Sequence, residues 1–296
     1  MAKNMDFLYK SGYNLLKEPL RLLLKDKRGI AGLSITLMFV LMATIGPVIL
    51  PYDPSINPSL ILAPPSWEHP LGCDDQGRDQ LRMLIAGSRS VLLISVTAAF
   101  FIITTGITVG MISGFMGGAI DSILMFIADV VLTIPGMILY TVLAAYIKRV
   151  SNPLILALIL SLTAWGGLAR GVRSQVLSLK EREFIEAAKT LGLSRRHIIF
   201  REILPNLMSY VAISFFWSVI GSIMATVGLF YLGLVPLDQT NWGVMLNAAV
   251  QRGGTLDPQA RMQLLVPMVT LILLQTGFIF LAAGMELIFN PRLRED

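Results

Sequence analysis

The chain has 296 residues, of which 54% are hydrophobic and only 15% charged, and its mean hydropathy is +0.69. Soluble domains carry about 25% charged residues, so these values exclude a water-soluble globular protein. Several uncharged runs reach the roughly 20 residues that a helix needs to cross a bilayer. These runs are apolar on every face, whereas the strands of a membrane barrel alternate. The composition therefore predicts an all-α membrane protein.

Cysteine, histidine and charge restrict the chemistry. The single cysteine, Cys73, excludes an internal disulfide framework and a cysteine-based metal site. The two histidines, His69 and His197, lie far apart on different predicted segments, so no metal site is expected. The net charge of +5 comes from basic residues concentrated in predicted cytoplasmic segments, so membrane topology explains it better than nucleic-acid binding.

The N-terminal region is predicted to contain a cytoplasmic tail, a transmembrane helix and an external loop. Residues 1–29 are polar and basic and are interpreted as a cytoplasmic tail, and residues 30–50 as a retained first transmembrane helix. Residues 51–90 hold acidic residues and prolines and no basic residue before Arg78, as expected of an external loop. We expect a short interfacial helix at its end, with Arg78 and Arg82 toward water.

The remaining chain predicts a five-helix core over residues 91–289. Its spans are predicted at residues 91–113, 119–147, 154–168, 207–234 and 264–289. Pro135 predicts a kink in the third span of the chain. A basic loop over residues 171–206 is expected in the cytoplasm, as is the tail at residues 290–296. The prediction is thus six transmembrane helices with both termini in the cytoplasm.

Two features stand out within the predicted spans. Gly106, Gly110 and Gly114 are spaced four residues apart on one helix face, which predicts close helix packing, with a place along a transport pathway as the alternative.

Asp129 lies well inside the third span, where a carboxylate is costly and faces a partner or an aqueous path. A structural hydrogen bond to a neighbouring helix is the favoured interpretation, and direct contact with cargo or ions is the alternative.

The basic loop has helix signals of its own. Ser178 with Glu181 three residues later forms a capping-box pattern. Gly192 suits the left-handed position that ends a helix. Ser194 can cap a second helix that ends just before Pro205. The loop is therefore predicted to be a helix, a glycine joint and another helix.

The first of these helices is amphipathic. Phe184, Ile185, Ala188 and Leu191 can form one apolar stripe opposite a charged face. Such a helix can dock into a groove on a partner protein, and a helix lying on the membrane surface is the alternative.

These motifs resemble a known family. Glu186-Ala-Ala188, Gly192 and Ile203-Leu-Pro205 resemble the EAA signature of permease subunits in bacterial ABC importers, in the spacing of the oligopeptide, dipeptide and nickel variant. Further segments resemble landmarks of that subfamily: His69–Asp79, Trp165–Arg170, Tyr231–Leu234, Asn241–Leu246 and Asn290–Arg294. The resemblance covers residues 30–294 and is to the C-type permease of the pair. It departs from the family at Cys73, where threonine is more usual, and at Asn290, where aspartate is.

The resemblance implies a type I ABC importer permease fold and half of a translocation pathway for short peptides in a bacterial or archaeal cytoplasmic membrane. The implied partners are a homologous permease, two ATPase subunits or domains, and an external substrate-binding protein. Together with the apolar stripe, it gives a predicted ATPase-coupling set of Phe184, Ile185, Glu186, Ala187, Ala188, Leu191, Gly192 and Pro205.

Catalysis and cofactors are assigned to other chains. The sequence has no Gly-x-x-x-x-Gly-Lys-Ser/Thr phosphate loop and no convincing catalytic constellation, so a non-catalytic subunit without a bound cofactor is predicted. ATP and magnesium would be bound by the partner ATPase subunits. Alternative cargos are nickel chelates, glutathione and oligosaccharides. Alternatives of another class are a stand-alone secondary transporter, which would show inverted repeats, and a membrane-embedded enzyme.

Overall fold

The computed structural model describes residues 23–24, 26–146, 152–235, 240–252, 257 and 260–289, and these residues form helices and loops without any named β-strand. The helices are α1 (Lys27–Thr44), α2 (Gly46–Ile49), α3 (Gln80–Met116), α4 (Gly118–Thr133), α5 (Gly136–Tyr146), α6 (Pro153–Lys180), α7 (Glu183–Thr190), α8 (Arg195–His197), α9 (Leu204–Tyr231), α10 (Trp242–Gln251) and α11 (Arg261–Phe289). A 3-10 turn covers Pro58–Leu60 and a π-helical segment covers Ile198–Ile203. The predicted tail at 290–296 and most of the tail at 1–29 lie outside the described residues.

The helices form a multi-pass membrane protein, which confirms the predicted fold class. Five helices are long and apolar enough to cross a bilayer, and α4 with α5 makes a sixth crossing if that bent pair is counted as one span. The two halves of the pair are bent by 78°. Ile134 before Pro135 is extended, with φ −84° and ψ 117°, as a residue preceding proline prefers. The predicted kink is therefore a full break.

The predicted interfacial helix and second span form one helix, so the prediction of two separate elements is wrong. α3 runs for 37 residues without an internal proline, and Asp79 caps its start by accepting a bond from the Arg82 amide at 3.0 Å. Arg78, predicted to face water, is buried and donates from Nε to Asp74 Oδ2 at 2.7 Å. Burial of this charge is tolerable because it is paired.

The fourth span is also longer than predicted. α6 continues from Pro153 through the predicted loop start to Lys180, because Val172 and Val176 extend its buried face among the basic residues. Ser178 therefore lies inside α6 and caps nothing, so the predicted capping box is wrong. The cap position before α7 is Arg182, which makes no side-chain capping bond.

At the end of the helices opposite α7, segment 51–79 and α10 cover the core. Trp242 is completely buried and donates from its indole to the Leu84 carbonyl at 3.0 Å. Cys73 is buried as well. Burial, with a further contribution from the Asp79 and Asp74 carboxylates, raises the pKa of the Cys73 thiol to about 11. At neutral pH this thiol is protonated and hidden, so it is a poor nucleophile.

The most extensive helix contact among the described residues joins α3 to α6 along the predicted glycine face. A Cβ atom built on Gly106 would lie 2.6 Å from Leu168, one on Gly110 would lie 2.5 Å from the Ala169 carbonyl oxygen, and one on Gly114 would lie 2.8 Å from Val176. Ordinary carbon contacts are about 3.5–4.0 Å, so any side chain at these positions would push the helices apart. The three glycines let the two backbones approach.

Replacing Gly110 by alanine should therefore destabilise the protein by about 1–3 kcal/mol, the usual effect of overpacking. Gly221 on α9 is a matched control, because a Cβ there meets nothing within 4 Å. Gly221→Ala should leave the melting temperature in detergent unchanged or raise it, since alanine favours helix. Equal melting temperatures for the two variants would contradict the glycine contact.

Candidate functional site: the coupling helix and the membrane groove

The helix α7 ends as its sequence predicts. Gly192 has φ +68°, which favours glycine. The Gly192 amide donates to the Lys189 carbonyl at 3.0 Å, and the Leu193 amide donates to the Ala188 carbonyl at 3.1 Å. These two bonds define a Schellman motif, which satisfies carbonyls that the helix end would leave open.

The segment after the glycine joint differs from the prediction. Ser194 caps α8 as expected, accepting from the His197 amide at 3.3 Å. The helix does not end before Pro205 but passes through a π-helical turn into α9, where the Leu204 amide bonds to the Ile199 carbonyl. Proline lacks the amide that a continuous α-helix needs. The missing amide of Pro205 is tolerated because Pro205 lies in the first turn of α9 and follows the wider π turn.

The predicted apolar stripe of α7 is divided between two sides, so the single outward stripe is wrong. Ile185 is fully buried and Ala188 is 5% exposed, whereas Phe184 is 40% and Leu191 77% exposed. Ile185 and Ala188 belong to one buried cluster with α6, the π-helical segment and α9. Neighbouring residues of a helix point about 100° apart, so Phe184 and Ile185 cannot share a narrow face. The outer surface of α7 also exposes Glu186 and Ala187.

Polar contacts fix the α3–α4 turn to the same end of α6. Arg173 donates from Nε and Nη2 to the two carboxylate oxygens of Asp121, both at 2.6 Å, and Ser113 also bonds to Asp121. Lys180 donates to the Phe115 carbonyl at 2.9 Å. α3, α4, α6 and α7 are thus joined at this end by both apolar and charged contacts.

A second ion pair lies deeper in the same helices. Asp129 on α4 accepts from Nε of Arg170 on α6 at 2.8 Å, and Arg170 Nη2 bonds to the same Oδ1 atom. Asp129 therefore has a hydrogen-bond partner on a neighbouring helix. The sequence predicts that the fourth span ends at residue 168, and only the extra length of α6 brings Arg170 to Asp129.

A groove of about 360 Å³ opens between α3, α5, α6 and α9. Its polar and small lining residues are Tyr140, Ala164, Gly167, Tyr210, Ser214, Trp217, Ser218, Gly221 and Ser222. The sequence analysis missed this site. The available signal was the run of small residues on α9 at positions 214, 218, 221 and 222, which share one helix face.

Four of the five groove hydroxyls have no hydrogen-bond partner among the described residues, whereas Tyr140 donates to the Leu160 carbonyl at 3.0 Å. Elsewhere in the spans, several threonine hydroxyls bond back to their own helix, as Thr104 does to the Phe100 carbonyl and Thr270 to the Val266 carbonyl, each at 2.7 Å, while those of Thr36 and Thr226 have no partner in the described part of the chain. Among the described residues, no hydrogen bond engages the hydroxyls of Tyr210, Ser214, Ser218 or Ser222. The described part of the chain also contains no group of three or more His, Cys, Asp or Glu placed to hold a metal ion.

Three residues from the other family-like segments have defined structural roles in turns and helix ends. Gly77 has φ +75° and lies directly against the Asn57 carbonyl. Asn241 caps α10 by accepting from the Gly243 amide at 2.9 Å. Gly233 has φ +69° and ends α9. A bundle of membrane-spanning helices with an anchored amphipathic helix at one end and a groove between spans is the architecture expected of a transport permease.

Comparison with known proteins agrees with this class. Residues 106–295 match the family described as binding-protein-dependent transport system inner membrane component. Residues 14–65 match the N-terminal transmembrane domain of oligopeptide transport permease C. The chain belongs to the family of binding-protein-dependent transport system inner membrane components, which confirms the family predicted from the EAA-like motif.

Similar proteins span almost the whole chain. The chain is 32% identical to the oligopeptide transport system permease protein OppC of Bacillus subtilis (strain 168), over 99% of this chain and 95% of that protein. It is 32% identical to the dipeptide transport system permease protein DppC of the same organism, over 99% of this chain and 90% of that protein. It is 36% identical to OppC of Mycobacterium bovis, over 72% of this chain and 74% of that protein.

The divided face of α7 can be tested with one substitution on each side. Ile185→Ala should remove about 2–5 kcal/mol of packing, because Ile185 is buried, and should speed amide hydrogen exchange in α7 at least tenfold. Leu191→Ala, on the exposed side, should leave exchange nearly unchanged. If both variants exchange like the wild type, Ile185 does not anchor the helix.

Proposed function

We propose that this chain is a transmembrane permease subunit of an ATP-driven, binding-protein-dependent importer and forms half of its translocation pathway for short peptides. The observation that carries the proposal is the near full-length similarity to proteins named as oligopeptide and dipeptide permeases. The cargo class follows from those names, and the polar groove gives it a physical setting.

The exposed side of α7 is proposed to dock on an ATPase subunit. Phe184 and Leu191 offer apolar surface beside Glu186 and Ala187, as expected of a helix that fills a partner groove. Ile185 and Ala188 have the opposite role, because they attach α7 to α6 and α9. Pro205 lies exposed at the start of α9 and shapes this junction. Movement of the ATPase would then displace α7 and its supporting helices together.

The groove is proposed to face a homologous permease across the translocation pathway. Aliphatic residues such as Leu37 on α1, Ile123 on α4 and Ile272 on α11 are exposed and suit lipid. The open hydroxyls of Tyr210 and Ser214 do not, because unpaired polar groups are costly in hydrocarbon. They suit a water-filled path in which a peptide backbone exchanges hydrogen bonds with the wall.

Hydrolysis is proposed to take place outside this chain. The sequence lacks a phosphate loop, which supports ATP and magnesium being bound by two separate ATPase subunits or domains. An external substrate-binding protein would deliver the cargo at the end formed by segment 51–79 and α10. The chain's own contribution is then the path and the mechanical link, without a catalytic step or cofactor.

The link through Gly192 can be tested with two variants that differ in backbone preference. Valine is strained at φ +68°, a conformation that costs L-residues about 1–2 kcal/mol and β-branched residues more, whereas asparagine tolerates it. A Cβ at Gly192 meets no atom within 4 Å, so sterics do not confuse the comparison. In reconstituted vesicles, Gly192→Val should lose most peptide transport and most ATPase stimulation by the loaded binding protein, while Gly192→Asn keeps both. Wild-type behaviour of Gly192→Val would remove α7 as the coupling element.

The proposed orientation has α7 and both termini in the cytoplasm, and it is supported by the basic residues around α7 and the acidic segment 51–79. In a Cys73→Ser background, Glu68→Cys should react with an impermeant maleimide from outside the cell. Lys189→Cys should react only after permeabilisation. Labelling of Lys189→Cys in intact cells would overturn the orientation. The native chain is the control and should not label, because its thiol is buried and protonated.

A further inference from the structure

Two ion pairs join α4 to α6, and they differ in how fully they are satisfied. In the Asp121–Arg173 pair, both carboxylate oxygens accept from the guanidinium, Ser113 adds a further bond, and the side chains are 16% and 34% exposed. In the Asp129–Arg170 pair, one oxygen receives both bonds and the side chains are 53% and 51% exposed. No hydrogen bond from the described residues reaches Asp129 Oδ2 or involves Arg170 Nη1.

The half-exposed pair lies inside the membrane-spanning part of the chain. Asp129 is 11 residues into α4 and Arg170 is 10 residues before the end of α6. At 1.5 Å per residue, each lies roughly 15 Å along its helix from the end that carries α7. Half-exposed charges on helices that cross the membrane are costly against lipid, so their open side suits a polar environment.

The groove lies beside the pair. Gly167 lines it, and Arg170 is one helical turn further along α6. Next to Arg170, a Cβ on Gly171 would overlap the Tyr210 hydroxyl, and Tyr210 also lines the groove. Asp129 and Arg170 are not among the groove's lining residues, but Arg170 adjoins it on α6 through Gly167 and Gly171.

We infer that the Asp129–Arg170 pair is a binding subsite for the charged termini of a zwitterionic peptide, an inference that rests on the proposed function. The α-carboxylate binds the Arg170 guanidinium, whose fork matches a carboxylate, and the α-ammonium binds Asp129. In the empty pair the two charged groups are in contact, with Arg170 Nε 2.8 Å from Asp129 Oδ1. A chain of two or three residues extends up to about 7–11 Å, so its termini reach both groups once the two side chains separate.

The exchange keeps every charge paired. The empty pathway holds one ion pair, and the occupied pathway holds two, each between one protein group and one peptide terminus. No charge is left alone at any stage, which avoids the penalty of an unpaired charge in a low dielectric. The pair thus closes on itself when the path is empty and opens to cargo that carries both charges.

The test measures whether each residue is coupled to one end of the cargo. Reconstituted complexes transport trialanine, N-acetyl-trialanine and trialanine amide from saturating binding protein, with the loaded fraction of each checked by native mass spectrometry. In the wild type, each blocked peptide should move about tenfold more slowly than trialanine, the scale of one lost charged hydrogen-bond pair. Arg170→Gln should slow trialanine about tenfold and leave the amide unchanged. Asp129→Asn should slow trialanine about tenfold and leave transport of the N-acetyl peptide unchanged.

Asp121→Asn and Arg173→Gln are the matched controls, since they alter the satisfied pair on the same helices. They should slow all three peptides by one common factor. The inference is overturned if Arg170→Gln and Asp129→Asn also slow all cargos by a common factor, or slow none. If Arg170→Gln does not assemble, Arg170→Lys keeps the charge but loses the fork, and its preference for trialanine over the amide should fall. An unchanged preference would count against the subsite.

These results separate the two proposals. A wild-type complex that moves none of the three peptides would refute the proposed function and the inference with it. A wild-type complex that moves trialanine and the blocked peptides equally would leave the proposed function intact and refute the subsite alone.

Discussion

The close approach of α3 and α6 is the contact on which the rest of the structure depends. Gly106, Gly110 and Gly114 remove the side chains that would separate the two helices. α6 then continues ten residues past Arg170, to Lys180, with Val172 and Val176 fully buried. Because α6 is held along its length, it can carry Arg170 beside the groove and support α7 at its end.

This arrangement connects two surfaces with different chemistry. At one end, α7 is attached through Ile185 and Ala188 and exposes a mixed apolar and charged side. In the membrane, α6 and α9 border a groove with open hydroxyls, and the Asp129–Arg170 pair lies beside it. Both surfaces are built on the same helices, so a displacement of α7 moves one wall of the groove. On the proposed function, this shared displacement is how movement of an ATPase would reach the groove.

Local signals in the sequence were sufficient for part of this account. The helix end at Gly192 could be predicted because a positive φ at that position selects glycine. The cap at Ser194 could be predicted because a capping side chain bonds to an amide within three residues. The family and the membrane-helical fold followed from motifs and uninterrupted apolar runs. The length of α6 could not be predicted, because its buried valines are interspersed with arginines that read as a loop. The partner of Asp129 and the groove depend on contacts between distant helices, which no local pattern contains.

The central claim is that α7 moves as one body with the helices that support it. Spin labels at Lys189 on α7 and Met208 on α9, both exposed, would report their separation by double electron–electron resonance in the assembled complex. A Cys73→Ser background removes the only native thiol. The account predicts the same mean distance and width with and without bound ATP. A distance that shifts or broadens when ATP binds would show that α7 moves independently of the groove helices and would contradict the account.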